Sequence, residues 1–110
     1  MPLPAPNDRV ACLVTAVGEA DTRELVMLYL DSFATLAADL ESGDAARSER
    51  AAHSLKSSSQ QMGLSGLARK LAALEERFRD GNERVTPAEI DAVKAEFASV
   101  EGTLRAFARG

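Results

Sequence analysis

Apolar residues recur along this chain at intervals of three and four, and no stretch alternates apolar with polar for long enough to suggest a half-buried strand. The pattern predicts an all-α protein. A first short helix starts near Asn7 or Asp8, either of which can cap it, and carries Val10, Leu13, Val14 and Val17 before Gly18 ends it. The second begins at about Asp21, a cap with Glu24 three residues on, and stacks Leu25, Tyr29, Phe33, Leu36 and Leu40 before Ser42-Gly43. The third runs from a cap at Asp44 to about Met62, where Gly63 supplies a left-handed end. The fourth, capped by Ser65, shows Leu67, Leu71, Leu74 and Phe78 and ends in Arg79-Asp80-Gly81. The fifth has the clearest start: Thr86 as cap, Pro87 at the first helical position and Glu89 closing a capping box. Its stripe is Ile90, Val93, Phe97, Val100, Leu104 and Phe107.

Amphipathic helices joined by short turns bury their stripes together as an antiparallel up-down-up-down four-helix bundle, with the additional short N-terminal helix packed over one end or side. The very short link between the third and fourth helices makes those two antiparallel neighbours. Residues 1–6, within MPLPAP, read as an extended N-terminal tail, and residues 7–110 as one helical domain. A chain of 110 residues with 45% hydrophobic content suits one core and not two.

The third helix holds the only histidine, His53. At about 100° per residue, Ala51, Ala52, Leu55, Ser58, Ser59 and Met62 form its inward face, while Ala46, Lys56, Ser57 and Gln60 share the outward face with His53. The histidine is therefore exposed. Small neighbours such as Ala46, Ser57 and Ser58 leave its ring accessible to another protein, and a neutral imidazole is a good nucleophile. A phosphoryl group placed on it would add roughly 1.5 to 2 negative charges, which Lys56 is positioned to meet.

Charge and composition remove competing chemistries. With 13 Lys plus Arg scattered among 17 Asp plus Glu, the net charge of -4 provides no basic stripe for nucleic acid. The longest apolar run, Leu25 to Leu30, is far short of the roughly 20 residues that span a bilayer, and no leader pattern opens the chain; a cytoplasmic location and no membrane partner are expected. Cys12 stands alone, so neither an intrachain disulfide nor a Cys/His zinc site can form, and no metal site is expected. No glycine-rich phosphate loop precedes a Lys-Ser or Lys-Thr pair. Polar outer positions such as Glu76, Arg79, Asp91 and Lys94 favour a monomer.

The segment AHSLKSSSQQMG, Ala52 to Gly63, resembles the signature of histidine-containing phosphotransfer (HPt) domains, in which a histidine is followed by x-Leu-Lys-Gly-Ser-Ser and then a Leu-Gly step. His53, Leu55, Lys56, Ser58, Ser59 and Gly63 match, and Met62 replaces an aliphatic residue. The resemblance implies a four-helix bundle that takes a phosphoryl group from the aspartate of one receiver domain and passes it to another. On that reading His53 is the acceptor, Lys56 steadies the phosphate, and Glu75 on the next helix orients the imidazole. Ala46, Arg50, Ser57 and Gln60 would form the docking surface, for a receiver of a hybrid sensor kinase or of a response regulator. The chain itself would bind no cofactor, the magnesium ion belonging to the receiver, and would act as a free-standing relay protein, not an enzyme. Ser57 stands where the family usually has glycine, Leu64 where alanine is common, and Gln60 and Gln61 are polar where one is often small or apolar. Two other readings remain: an HPt-like bundle that docks a receiver or another signalling protein without phosphorylation, and a structural bundle with an incidental surface histidine.

Overall fold

The computed structural model describes residues 4–80 and 85–110. Its elements are α1 (Asp8–Val17), α2 (Glu19–Asp39), α3 (Ala45–Gln61), α4 (Ser65–Asp80) and α5 (Pro87–Arg109), and there is no strand among the described residues. Four antiparallel helices close a ring in which α3 packs on α4, α4 on α5, α5 on α2 and α2 on α3, and α1 lies outside against α2. The body measures 50 × 22 × 20 Å.

The helix starts obey their caps. Asn7 accepts from the Val10 amide, Asp44 from that of Arg47, and Thr86 with Glu89 forms a complete capping box ahead of Pro87. Two starts differ from the sequence expectation. Helix α2 begins at Glu19, directly after Gly18, so Asp21 lies inside its first turn as a negative charge near the positive helix end instead of as its cap. The Thr22 hydroxyl, fully buried, donates back to the Gly18 carbonyl at 2.7 Å and secures this sharp junction. Ser65 likewise is the first residue of α4 and not its cap, the opening carbonyl being that of Leu64, which accepts from Ala68. The expected Gly81 at the end of α4, and the first three residues of the tail, lie outside the described residues. Of the rest of the tail, Ala5 packs against the core.

The core is one cluster. From α2 come Val26, Tyr29, Leu30, Phe33 and Ala37; from α4, Leu67, Leu71 and Leu74; from α5, Ile90, Val93, Phe97, Leu104 and Phe107. Each such large side chain contributes about 1.5–3 kcal/mol by leaving water. Phe33 and Phe97 stack nearly parallel, 3.7 Å between centroids, and Tyr29 sits 6.1 Å from each. The predicted α2 stripe holds at Tyr29, Phe33 and Leu40, all buried, and at half-buried Leu36, but fails at its start: Val26 and Leu30 are buried as well, while Leu25 and, beside it, Leu28 are 40% and 60% exposed. Leu25 and Leu28 instead lie on the side of α2 that looks toward α1, where they line a groove with Arg9 and Leu13. Val17, expected on the inner face of α1, is also exposed.

Helix α3 is built differently. Its inner face is Ser48, Ala51, Ala52, Leu55 and Ser59, all buried and all but one small. The Ser48 hydroxyl bonds the Asp39 carbonyl at 3.0 Å, closing the α2–α3 turn, and the Ser59 hydroxyl meets the Tyr29 hydroxyl at 2.8 Å. Burial pushes the Tyr29 phenol up to about 12. Ser58, assigned inward by the wheel, is only half-buried and donates to the Ser54 carbonyl of its own helix.

The helix ends where it must. Gly63 has φ 77°, and the Leu64 amide reaches back to the Ser59 carbonyl at 2.9 Å, a hydrogen-bonded left-handed stop. A Cβ at Gly63 would fall 2.5 Å from Asn7 Oδ1. The same Asn7 side chain donates from Nδ2 to the Met62 carbonyl at 2.8 Å, pinning the start of α1 to the end of α3.

Candidate functional site

Small residues on the inner face of α3 let α4 lie close along it, and the two helices share the most extensive packing in the molecule. That approach brings one carboxylate beneath the histidine. Glu75 follows Leu71 by four residues and adjoins Leu74, so it turns with the apolar stripe of α4 and its side chain is only 5% exposed. A carboxylate so placed must be satisfied by donors. Oε2 takes His53 Nδ1 at 2.6 Å and Arg79 Nη2 at 3.3 Å, and Oε1 takes Lys56 Nζ at 2.5 Å.

Helical spacing gives this arrangement. His53 and Lys56 are three residues apart on α3, and Glu75 and Arg79 four apart on α4, so each pair points from one helix into the shared groove. Arg79 is also tied to Glu49, four residues before His53, at 3.1 Å. The Lys56 ammonium bonded to it holds the Glu75 carboxyl below the usual carboxylate range; burial pushes the other way, and the His53 hydrogen bond adds to the lowering. Glu75 is therefore an anion at neutral pH. Because an ionised carboxylate only accepts, the His53 ring donates from Nδ1, and in the neutral ring the lone pair is then on Nε2. The histidine side chain is 61% exposed. The site presents a nucleophilic nitrogen to a visitor and keeps its own proton underneath.

The structure brings His53, Lys56 and Glu75 together. Lys56 departs from the wheel in one respect: its side chain is 23% exposed, because its stem lies along the bundle and its ammonium turns in to Glu75. Ala46, Arg50 and Gln60 are exposed and Ser57 half-buried; with His53 they recur at threes and fours, forming one stripe along α3. Arg79 and Glu49 were missed as site residues, although the spacings Glu49 to His53 and Glu75 to Arg79 would have found them. A groove of about 520 Å³ was also missed, between α1, α2 and the end of α3, with Leu13, Leu25, Leu28 and Met62 among its walls. This apolar surface differs from the polar exterior expected of the bundle.

Among the described residues no three of His, Cys, Asp or Glu cluster to hold a metal ion, and no helix is long and apolar enough to cross a membrane. An antiparallel helical bundle that carries one exposed histidine over a buried carboxylate is the architecture to be placed. Residues 24–103 match the Hpt domain family, a span that includes His53, Lys56, Glu75 and Arg79 and leaves α1 outside, and the chain belongs to that family. No curated protein and no solved structure matches the chain. Hpt domains carry out histidine phosphotransfer in phosphorelays, interact there with receiver domains, and are in general intermediates and not catalytic enzymes.

Proposed function

We propose that this chain is a phosphorelay intermediate that takes a phosphoryl group from a receiver-domain aspartate onto Nε2 of His53 and passes it to the aspartate of another receiver. The observation that carries this reading is the hydrogen bond from His53 Nδ1 to buried Glu75, which leaves Nε2 directed to solvent on a 61% exposed side chain. The Nε2 lone pair attacks phosphorus, the bond from phosphorus to the aspartyl oxygen breaks, and the aspartate leaves with its electron pair. Onward transfer is the reverse with a second aspartate. The receiver brings the magnesium ion that such a reaction uses, and this chain brings the positioned imidazole.

Lys56, one helical turn from His53, supplies positive charge where the phosphoryl oxygens arrive. Glu75 orients the ring. Ala46, Arg50, Ser57 and Gln60 form the surface against which the receiver docks, and Ser57 in place of the usual glycine tunes that contact without blocking it. The receivers belong to a hybrid sensor kinase, a response regulator, or both.

Incubation with a phosphorylated receiver should produce an acid-labile, base-stable label that is absent in His53→Gln. Absence of transfer from every receiver tried overturns the relay. Receiver binding without transfer would instead support the non-phosphorylated docking module.

A further inference from the structure

The imidazole of His53 has two unlike sides. Its Nδ1 edge faces α4, on the side of α3 where Lys56 lies, since both residues reach the same carboxylate. The two nitrogens of an imidazole point to nearly opposite sides of the ring, so Nε2 is turned away from α4. On that other side of α3 lie Arg50, one turn before the histidine and about 60° round the helix from it, and Ser57, one turn after it at about 40°. Side chains three and four residues apart on a helix are neighbours, with about 5–6 Å between their Cβ atoms. The Nε2 edge is thus bracketed along the helix by a guanidinium and a hydroxyl.

The other donors at this face are already committed. Lys56 Nζ is bonded to Glu75, and Arg79 is divided between Glu75 and Glu49. Arg47, the other arginine of α3, pairs with Asp39 at 3.1 Å. Of the serines, Ser48 closes the turn to α2, Ser58 donates to the Ser54 carbonyl and Ser59 meets Tyr29. Arg50 and Ser57 differ, because neither side chain has a hydrogen bond or ion pair among the described residues. Arg50 is exposed, whereas Ser57 is half-buried, so its hydroxyl is partly withdrawn from water with no protein partner in exchange.

A phosphoryl group on Nε2 would bring three acceptor oxygens and roughly 1.5 to 2 negative charges to this spot. A planar guanidinium can meet two such oxygens at once, and a hydroxyl can donate to one. Resting on the reading of His53 as acceptor, we propose that Arg50 and Ser57 form a cradle for the phosphoryl group, donating to its oxygens from the turn before and the turn after the histidine. Lys56 adds its charge from across the ring, where its hydrogen bond goes to Glu75. The serine that stands in place of glycine thereby acts in the loaded protein itself, before any partner docks.

The test needs no receiver. The full chain is loaded with phosphoramidate, a small phosphoryl donor, and label on His53 is confirmed by its loss in His53→Gln. Phosphorus NMR from about pH 5 to pH 9 then follows the last ionisation of the phosphoryl group, which lies near pH 6 for phosphorylated side chains. Donors favour the dianion, so removing one raises the pH at which it forms. Arg50→Gln should raise that midpoint by about 0.5 to 1 unit and Ser57→Ala by about 0.2 to 0.5, the sizes expected of a charge and of a neutral hydrogen bond at a partly exposed site. The Arg50 shift should shrink in about 1 M salt and the Ser57 shift persist. Ser57→Thr, which restores the hydroxyl, should keep the wild-type midpoint. Residues that serve only to dock a receiver leave this titration unmoved. Labelled Arg50→Gln or Ser57→Ala that is folded by circular dichroism and titrates as wild type does overturns the cradle and leaves the relay standing. No label on His53 from phosphoramidate or from phosphorylated receivers overturns both.

Discussion

The two long sides of the bundle solve the packing problem in opposite ways. Between α2 and α5 the space is filled by rings, with Phe33 stacked on Phe97 and Tyr29 beside both. Between α3 and α4 it is closed by small residues, Ala51, Ala52 and Ala68, which bring the helices near enough for side chains on one to reach those on the other. Large side chains hold helices apart and supply stability; small ones let them approach and supply geometry. A polar network such as that of His53, Lys56, Glu75 and Arg79 can be assembled only on the second kind of side.

The comparison is broken most severely on the aromatic side. Phe33→Ala should cost about 3–5 kcal/mol of unfolding free energy, measured by urea titration, while the folded fraction accepts label on His53 at an unchanged rate. A matching loss of transfer in the folded protein would mean that the sides are not separable. On the small-residue side Ala52→Leu should cost about 1–3 kcal/mol by overpacking, and here transfer should fall too, since α4 and Glu75 are pushed from His53. Unchanged transfer would show that close approach is not what the small residues provide. Tyr29→Phe, which removes the hydroxyl bonded to Ser59 where the two sides meet, should cost about 1 kcal/mol and spare transfer.

The smallest effect is in the acid limb of stability. The folded Glu75 carboxyl titrates below its unfolded range, so its contribution is present above about pH 4.3 and is lost as pH falls through the lower, folded value. Wild type should therefore lose stability more steeply than Glu75→Gln below about pH 4.3, in thermal melts taken across that range. Equal slopes would mean that the ion pairs of Glu75 contribute nothing net.

Much of this was legible in the residues because local rules were strong. Thr86-Pro87-x-Glu89, Asp44 and Gly63 each have one good structural use, and the helices start and stop there. Periods of three and four found α4 and α5 almost residue by residue. Helix α2 was harder: it is apolar on more than one side, LVMLYL offers two stripes, and the sequence pattern does not say that Val26 is covered while Leu25 and Leu28 are left open. At the site, the wheel established that His53 is exposed and the motif singled it out, yet neither could reveal that Lys56 turns inward to Glu75 or that Arg79 reaches across to Glu49. Those facts depend on the distance between two helices, which a single-helix projection does not contain.

The Asn7 contact with Met62 and Gly63 has a consequence for how this chain can change. One amide caps α1, holds the last turn of α3 and occupies the space where a Gly63 side chain would go. The two positions are therefore coupled: a residue larger than glycine at 63 would meet Asn7 Oδ1 at 2.5 Å and Arg9 Cβ at 2.8 Å, so shortening Asn7 relieves only part of the penalty, and the backbone strain of φ 77° remains besides. Divergence of the helix outside the family span is thereby tied, through a single side chain, to divergence of the helix that bears the histidine.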